Sequence, residues 1–595
     1  MTDALMHRGP DGEGVWLNES GTVALGHRRL SILDLSEAAS QPMHYRNRYT
    51  IIHNGEIYNY IELKENLIKK GYSFRTSSDT EIITAAYDCY KEECLQLFDG
   101  MFAFAIWDEQ EQQLFAARDR FGEKPFYYFA DDEQLLFASE FKALWAAGIS
   151  KEWNHTMLLS FLANGRTQNA TDASLTFYKN IFALPQAHYL KFDITKQELH
   201  IQQFWDLDRQ TQHSISEADA IERFAELFSS SVQRRLRSDV AIGTSLSGGL
   251  DSSGIVAMCH NVNAVHYSHH CFTASFPAFE KDELQYAKKV SAQFNLQQHI
   301  TIPTVETFIS DFEKLCYHQE QPFNSSSVYA QFKVMQLAKE YDVTVLLDGQ
   351  GADETLAGYS KYIHWFLQEL LGKWKFSAAV NERRLFEQNN IPFQWSTSNY
   401  AAAFLPLLTS SKLEESERKK IFSHAHITNE YAHAHYNKFF SISKPPVSKL
   451  NDILYFNTMQ QGLGELLHYA DRNSMAHGRE LRLPFLSHEL VAFVFSLPST
   501  MKLHNGFTKY ILRQTMKASL PQEIVWRTDK VGYEPPQQQW MQNKQLQELI
   551  MNGRKKLLNE RILNRKTLSQ PIQIKSAYEA DNFDWRYLIT AEMMA

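Results

Sequence analysis

A short apolar run that ends in a glycine pair is the feature that most constrains how this chain can fold. Residues 240–246 have the length of a buried strand, and Ser247-Gly248-Gly249-Leu250-Asp251-Ser252-Ser253 follows directly. Residues 254–258 then predict the first turns of a helix, with Ser252 or Ser253 as its cap. A strand, a glycine turn and a helix start direct several backbone N–H groups at one point, where an anion can bind. The segment therefore predicts a phosphate site at the edge of an α/β sheet.

An aspartate inside this loop narrows the kind of phosphate site. The loop has no lysine followed by serine or threonine, so the Walker type of kinases and GTPases is disfavoured. The carboxylate of Asp251 would repel phosphate unless a divalent cation lay between them. The alternative is a tight strand-to-helix turn that needs glycine for its backbone angles alone.

A second loop of the same kind supports the phosphate site. Residues 343–347 predict another buried strand, and Asp348-Gly349-Gln350-Gly351-Ala352-Asp353-Glu354 follows it. Ligands of open α/β sheets bind at the carboxyl ends of the strands, so both loops would lie at one edge. Asp251 and Asp353 are therefore expected to share one Mg²⁺.

Composition limits the class of protein. The 595 residues are 44% hydrophobic and 22% charged with a net charge of −9, which suits a globular protein of several domains and gives no case for nucleic acid. No apolar run of membrane-spanning length and no signal segment is visible. The five cysteines are odd in number and lack a metal-ligand spacing, which favours a reduced, cytoplasmic protein.

The pattern of the chain changes twice. Residues 1–205 carry short aromatic and β-branched runs with helices near 60–70 and 79–90, which predicts a layered α+β domain. Residues 206–216 are polar and predict a linker. The domain 217–595 begins with alternating strands and helices, typical of a parallel sheet, and continues from 355 with helical periodicity and few strand candidates.

Several motifs resemble one known family. The first loop resembles the pyrophosphate loop of the N-type ATP pyrophosphatases, and the second, with Gly358-Tyr359, that of asparagine synthetases. Further matches to the synthetase half are Asp471-Arg472-Asn473-Ser474-Met475-Ala476, Glu480-x-Arg482-x-Pro484-Phe485-Leu486, Thr508-Lys509-Tyr510-x-Leu512-Arg513 and Arg527-x-Asp529-Lys530-Val531-Gly532-Tyr533. Matches to the class II glutaminase half are His7-Arg8-Gly9-Pro10-Asp11, Arg29-Leu30-Ser31-Ile32, Asn54-Gly55-Glu56, Ser78-Asp79-Thr80-Glu81, Arg118-Asp119-Arg120-x-Gly122-x-Lys124-Pro125 and Ser139-Glu140-x-Lys142-Ala143-Leu144. The chain is similar, over nearly its whole length, to glutamine-hydrolysing asparagine synthetases.

The resemblance implies a fold and an activity. The fold would be an N-terminal Ntn-hydrolase-like layered sandwich, then an α/β parallel-sheet ATP pyrophosphatase domain with a helical C-terminal part. L-aspartate would attack ATP to give a β-aspartyl-adenylate and pyrophosphate, and ammonia from L-glutamine would pass internally and displace AMP. ATP and Mg²⁺ would be required, and a homodimer is a candidate assembly.

The resemblance also implies roles for single residues. The residues that would bind glutamine are Arg29 and Leu30 at its carboxylate, Glu56 and Asp79 at its ammonium, and Asn54 and Gly55 at the oxyanion. Those that would bind ATP are Leu246, Ser247, Gly248, Gly249, Asp251, Ser252, Ala274, Asp348 and Gly349. The catalytic set would be Asp251, Asp353, Glu354 and Lys530, with Asp251 and Asp353 on the metal. Alternatives stay open, because Asp79 could be a helix cap and Asn54-Gly55 a hairpin turn.

Two positions depart from the family pattern. The family glutaminase uses an N-terminal cysteine, whereas this sequence runs from Met1-Thr2 directly into the motif at His7, and the nearest cysteine is Cys89 in a predicted helix. We expect that the nucleophile segment is absent from this sequence, that Thr2 lies too close to His7 to replace it, and that ammonia rather than glutamine supports the reaction of this polypeptide. Gln350 stands where the family usually has glutamate, so an acid/base role would fall to Asp348, Glu354 or the substrate.

Two other functions remain as alternatives. One is an amide-forming tailoring synthetase for peptide or β-lactam cyclisation, although that class would be expected to lose the glutamine-binding residues. The other is a non-catalytic nucleotide-binding regulator, against which Asp251, Asp353 and Lys530 argue. The histidines near 424–435 predict a solvated helix face rather than a metal site.

Overall fold

The computed structural model describes residues 1–169, 171–262, 267–404, 415–416, 418–437, 447–529 and 534–594. The N-terminal part contains helices Tyr60–Lys69, Asp79–Tyr90, Cys94–Leu97, Phe141–Ala146 and His155–Asn164. Its strands are β1 (Gly12–Leu17), β2 (Ala24–Arg29), β3 (Met43–Tyr45), β4 (Tyr49–Ile57), β5 (Gly100–Asp108), β6 (Gln113–Arg118), β7 (Tyr127–Ala130), β8 (Leu135–Ala138), β9 (Phe182–Ala183), β10 (His188–Asp193) and β11 (Glu198–Gln203).

A six-stranded antiparallel sheet, in the order β11-β10-β6-β5-β4-β3, forms the centre of this part. Strand β5 shows why the domain is layered, because its side chains alternate between two cores. Phe102 and Phe104 pack with the helices Tyr60–Lys69 and Asp79–Tyr90. Ala105 and Trp107 face the opposite layer, where β1 to β2 and β7 to β9 lie. The predicted layered sandwich is confirmed.

The edge strand β1 packs on one face only. Val15 and Leu17 on its outer face are 73% and 59% exposed. Strand β4 contains Asn54 and Gly55, so the hairpin-turn alternative for these residues was wrong.

A five-stranded parallel sheet organises the second part of the chain. Its strands are β12 (Ile242–Ser245), β13 (Tyr267–Ala274), β14 (Gln297–Thr301), β15 (Val345–Leu347) and β16 (Glu480–Arg482), in the order β14-β13-β12-β15-β16. A short hairpin, β17 (Leu503–His504) and β18 (Phe507–Thr508), lies outside this sheet. The four strands that alternate with helices confirm the predicted parallel sheet. Strand β16 was not recognised in the sequence, because it has three residues and two of them are charged.

Helices surround the parallel sheet and make up the C-terminal region. They are Glu217–Arg235, Leu250–Val262, Leu284–Gln293, Val305–Gln319, Ser327–Glu340, Ala352–Thr355, Lys361–Gly372, Phe376–Gln388, Thr397–Phe404, Asn429–His435, Leu450–Tyr455, Leu463–Met475, His488–Ser496, Tyr510–Met516, Gln522–Val525, Gln537–Trp540, Lys544–Asn559, Lys566–Ser569 and Phe583–Met593. Among the described helices, none combines the length and apolar content that crossing a bilayer requires. The helix after the glycine pair starts at Leu250, earlier than predicted, so Ser252 and Ser253 lie inside its first turn and do not cap it.

Buried charges join the two parts of the molecule. Glu140 accepts hydrogen bonds from Arg8 at 2.8 Å and contacts Arg472 at 3.0 Å, and a second guanidinium nitrogen of Arg472 lies 2.9 Å from Glu320. Arg8 also donates two hydrogen bonds to Asp471, at 2.8 and 2.9 Å. All five side chains are almost fully buried. Because carboxylates and guanidinium groups alternate, their charges compensate each other away from water.

Candidate functional site

The first loop has the geometry of an anion-binding turn. Gly248 has a φ of +79°, and a Cβ there would lie 2.3 Å from the backbone nitrogen of Ala287, so only glycine fits. The N–H of Gly249 donates to the Ser247 hydroxyl at 3.2 Å, and the hydroxyls of Ser247 and Ser252 lie 3.1 Å apart. These groups lie at the N-terminal end of the helix Leu250–Val262, where the helix dipole favours an anion.

The second loop packs directly against the first. Strands β12 and β15 are parallel neighbours, so their carboxyl ends place the loops side by side. A Cβ on Gly349 would lie 2.9 Å from the Cβ of Asp251. The Asp348 N–H donates to the carbonyl of Arg482 at 3.0 Å, which attaches this loop to β16. Ala274 ends β13 and Leu246 follows β12, and both are buried at this edge.

One side chain lies between the two loop aspartates. The Nζ of Lys509 lies 2.6 Å from Asp251 Oδ2 and 2.5 Å from Asp353 Oδ1. Both carboxylates therefore converge on one cation position. Carboxylate oxygens are ligands that Mg²⁺ prefers. Lys509 was missed as a site residue, although it stands in the quoted Thr508-Lys509-Tyr510 motif. Lys530 lies outside the described residues.

The acidic groups beside this position are difficult to ionise. Burial and the neighbouring Asp353 raise the pKa of Glu354, whose Oε1 accepts a hydrogen bond from the Tyr359 hydroxyl at 2.6 Å. Burial also raises the pKa of Asp348, which accepts from the N–H of Gln350 at 3.2 Å. A raised pKa makes a carboxylate a stronger base, which is what an acid/base role in place of Gln350 requires.

A cavity of about 240 Å³ in the N-terminal part collects the other predicted set. Its walls include all six residues that the sequence assigns to glutamine, namely Arg29, Leu30, Asn54, Gly55, Glu56 and Asp79. Met1 and Thr2 also line it, and none of the five cysteines is among the described residues that do.

The cavity is lined by both acidic and basic side chains. Asp79 follows the helix cap Ser78, and its Oδ2 accepts the N–H of Ile57 at 2.8 Å, so it is not itself the cap. Burial raises the pKa of Asp79 to about 7, and burial together with Asp79 raises that of Glu56. Arg29 also lines the cavity, and its guanidinium donates hydrogen bonds to the carbonyls of Asp34 and Ser36.

An arginine that sequence reasoning did not assign lies between the two sites. The Arg482 guanidinium, fully buried, donates to Glu480 at 2.8 Å and lies 3.6 Å from Glu56 of the cavity. The backbone carbonyl of Arg482 accepts a hydrogen bond from the N–H of Asp348 in the second loop. Only the Glu480-x-Arg482-x-Pro484 motif marked it in the sequence.

A cavity lined by acidic and basic side chains, and a sheet edge with two glycine loops and two converging aspartates, are features of an enzyme with two joined sites. Family models agree with both parts: the asparagine synthase model matches residues 223–594 and the glutamine amidotransferase domain model matches residues 1–205. The chain belongs to the asparagine synthase family and is a ligase with a glutamine amidotransferase domain.

Characterised relatives share most of the length of this chain. It is 32% identical to asparagine synthetase [glutamine-hydrolyzing] 1 of Bacillus subtilis, over 98% of this chain and 90% of that protein. It is 30% identical to asparagine synthetase [glutamine-hydrolyzing] 3 of the same organism, over 89% and 82%. It is also 27% identical to the amidase chry2 of Gibberella zeae, over 90% and 84%.

Proposed function

We propose that this protein converts aspartate to asparagine through a β-aspartyl-adenylate, with release of AMP and pyrophosphate. The observation that carries the proposal is the convergence of Asp251 and Asp353 on one cation position between the two glycine loops. An enzyme that activates a carboxylate with ATP needs a metal bridge to the phosphates at such a point. Family membership supports the choice of reaction.

The loops would bind the nucleotide and separate its charges. Leu246, Ala274 and the Asp348-Gly349 turn would contact the nucleoside, and the N–H groups around Gly249 with the Ser247 and Ser252 hydroxyls would hold the pyrophosphate. Bound Mg²⁺ would supply charge neutralisation of the phosphates, held by Asp251 and Asp353. Lys530 is proposed as a further cation at the adenylate, on the basis of the sequence motif alone.

The activation step explains why ATP is needed. A carboxylate oxygen of aspartate attacks the α-phosphorus, the bond to the β-phosphate bridge oxygen breaks, and pyrophosphate leaves. The adenylate then has AMP as its leaving group, so ammonia can displace it. Ammonia loses a proton on becoming the amide, and Glu354 or Asp348, whose pKa values are raised by burial, would take it.

The cavity of the first part would deliver the nitrogen. Arg29 would bind the glutamine carboxylate, Glu56 and Asp79 its ammonium, and the Asn54 amide with the Gly55 N–H the tetrahedral oxyanion. An internal passage to the second part would keep the ammonia unprotonated. Residues 1–205 are proposed as the glutaminase unit, 206–216 as the linker and 217–595 as the synthetase unit.

The products of ATP test the proposal. We expect AMP and pyrophosphate, formed only when Mg²⁺ and aspartate are both present, and asparagine in equal amount when ammonium is supplied. ADP and phosphate as products would contradict it.

A tailoring synthetase is the second candidate, because amidases are among the relatives and Gln350 departs from the family glutamate. A panel of carboxylic acids and peptides, tested for pyrophosphate release, separates the two. Release with aspartate supports asparagine synthesis, whereas release with another acid and none with aspartate favours the tailoring reaction.

The nitrogen donor needs its own experiment. Because no cysteine side chain lines the described cavity, we expect the 595-residue polypeptide to use ammonium and to hydrolyse glutamine poorly. Isotope-labelled glutamine measures the transfer directly. Efficient transfer of the amide nitrogen would contradict this expectation and direct attention to Thr2.

A further inference from the structure

Lys509 forms ion pairs with the two carboxylates of the proposed metal site, and these pairs are more buried than a surface salt bridge. Its ammonium lies 2.7 and 2.6 Å from the two oxygens of Asp251 and 2.5 Å from Asp353. The side chains of Lys509, Asp251 and Asp353 are 3%, 8% and 17% exposed. An ammonium shielded from water between two carboxylates has strong electrostatic attraction to both.

The backbone is built to put the ammonium there. Lys509 has a φ of +53°, in the left-handed region that lysine seldom adopts, immediately before the helix Tyr510–Met516. A Cβ on Gly358 would lie 1.9 Å from Asp353 Oδ1 and 2.1 Å from Lys509 Cε, so glycine leaves the space for this pair. A strained backbone and a glycine-shaped gap around one contact indicate that the contact is specified by the fold.

We propose that Lys509 is a resident cation that occupies the metal position before the nucleotide binds, so that the divalent ion enters together with ATP. This inference rests on the metal site of the proposed function. The ammonium and a divalent ion cannot both lie between the same carboxylate oxygens, so one must displace the other.

The nucleotide resolves this competition. A metal ion that arrives alone gains two carboxylates but must break their pairing with Lys509 and leave that ammonium buried without its partners, which is costly. A metal ion that arrives with ATP gains phosphate oxygens as further ligands. The same phosphates offer the displaced ammonium a new anionic partner. Lys509 therefore keeps the two carboxylates ordered in the resting protein and makes metal binding depend on nucleotide.

Binding of Mn²⁺, followed by electron paramagnetic resonance, tests the proposal without any turnover. The unsubstituted protein should bind Mn²⁺ weakly alone and at least about tenfold more tightly with a non-hydrolysable ATP analogue, an increase equivalent to about 1.4 kcal/mol. In Lys509→Gln the nucleotide-free affinity should rise by at least a similar factor, because the competing charge is gone. Adding Asp251→Asn to Lys509→Gln should abolish the gain, which assigns the bound ion to this position.

A matched control and a clear contradiction complete the test. Lys517→Gln removes an exposed lysine that follows the same helix and should leave Mn²⁺ binding unchanged. Circular dichroism shows whether each variant is folded, and Lys509→Arg, which keeps the charge, should keep the weak nucleotide-free binding. Equal Mn²⁺ affinity of the unsubstituted protein and Lys509→Gln without nucleotide would overturn the proposal. Because no aspartate is present, this outcome is independent of whether asparagine is the product.

Discussion

The carboxylates in the cavity and at the sheet edge differ in their surroundings, and this difference affects which cation each site could bind. In the cavity, Glu56 and Asp79 are buried, and burial raises the pKa of both carboxyl groups, that of Asp79 to about 7. At the sheet edge, Asp251 and Asp353 share the ammonium of Lys509 instead. In the proposed function, carboxylates would therefore bind the glutamine ammonium in one part and the metal ion in the other.

Glutamine binding should depend on pH through Asp79. Its pKa of about 7 means that the carboxyl is neutral at lower pH and then cannot pair with the glutamine ammonium. We expect the Kd for glutamine, measured calorimetrically, to rise about tenfold between about pH 8 and about pH 6, as one protonation near pH 7 requires. Asp79→Asn should bind weakly at all pH values with a flatter profile. A Kd that is constant over this interval in the unsubstituted protein would contradict the assignment.

Loss of a metal carboxylate should stop adenylation. Asp251→Asn keeps the shape of the side chain but removes one of two charges that hold the metal, so AMP formation should fall by about 100-fold or more. Asp193→Asn, at the end of β10 in the N-terminal part, is the matched control and should retain full activity. Equal activity of both variants would show that Asp251 does not bind the metal.

At the scale of elements, short-range patterns were predictable and long-range pairings were not. The strand, glycine turn and helix around Gly248 are contiguous, so the sequence predicted them to within a few residues. Strand β16 was not predicted because Glu480 and Arg482 look solvent-exposed in the sequence. Their burial is compensated by their own ion pair and by Glu56 and Lys124 from distant segments. The role of Lys509 was not predicted for a similar reason, since it lies more than 150 residues after both Asp251 and Asp353.

The glycine turn should not tolerate a side chain at Gly248 but should tolerate one at Gly249. In Gly248→Ala the new Cβ meets the backbone near Ala287 at 2.3 Å in a left-handed conformation, so we expect a clear fall in the thermal unfolding midpoint. In Gly249→Ala the nearest atom is the Ser247 hydroxyl at 3.2 Å, so the midpoint should change little. Equal midpoints for the two variants, measured by scanning calorimetry, would contradict the loop geometry.

An apolar core and a cluster of buried charges both cross the boundary between the two parts of the molecule. One continuous core includes Phe141 and Tyr178 of the first part with Phe308 and Phe332 of the second. The cluster around Glu140 and Arg472 crosses the same boundary. We therefore expect the two parts to unfold together. Arg482 adds a direct link between the cavity and the ATP loop.

Removing one charge of the cluster should be costly. Glu140→Gln removes the buried carboxylate that Arg8 and Arg472 share and leaves them with Asp471 and Glu320 alone. We expect a loss of about 3–5 kcal/mol in the free energy of unfolding. Glu152→Gln, which breaks an exposed pair with Lys179, should cost less than about 1 kcal/mol. Burial alone would raise the pKa of Glu140, but the charges of Arg472 and Lys142 hold this pKa well below its usual value. The stability that ionised Glu140 contributes is therefore fully present above the pKa of this residue in the unfolded chain, and it is lost as the pH falls through the folded pKa. Acid-dependent denaturation can measure this loss.

The path of one oxygen atom tests the central claim most directly. If aspartate attacks the α-phosphorus of ATP, an oxygen of its side-chain carboxylate stays on the phosphorus when ammonia displaces AMP. Aspartate labelled with ¹⁸O in that carboxylate, incubated with ATP, Mg²⁺ and ammonium, should give AMP that carries one ¹⁸O atom and unlabelled pyrophosphate, as mass spectrometry would show. Asparagine formed without label in AMP, or label found in inorganic phosphate, would contradict the adenylate route.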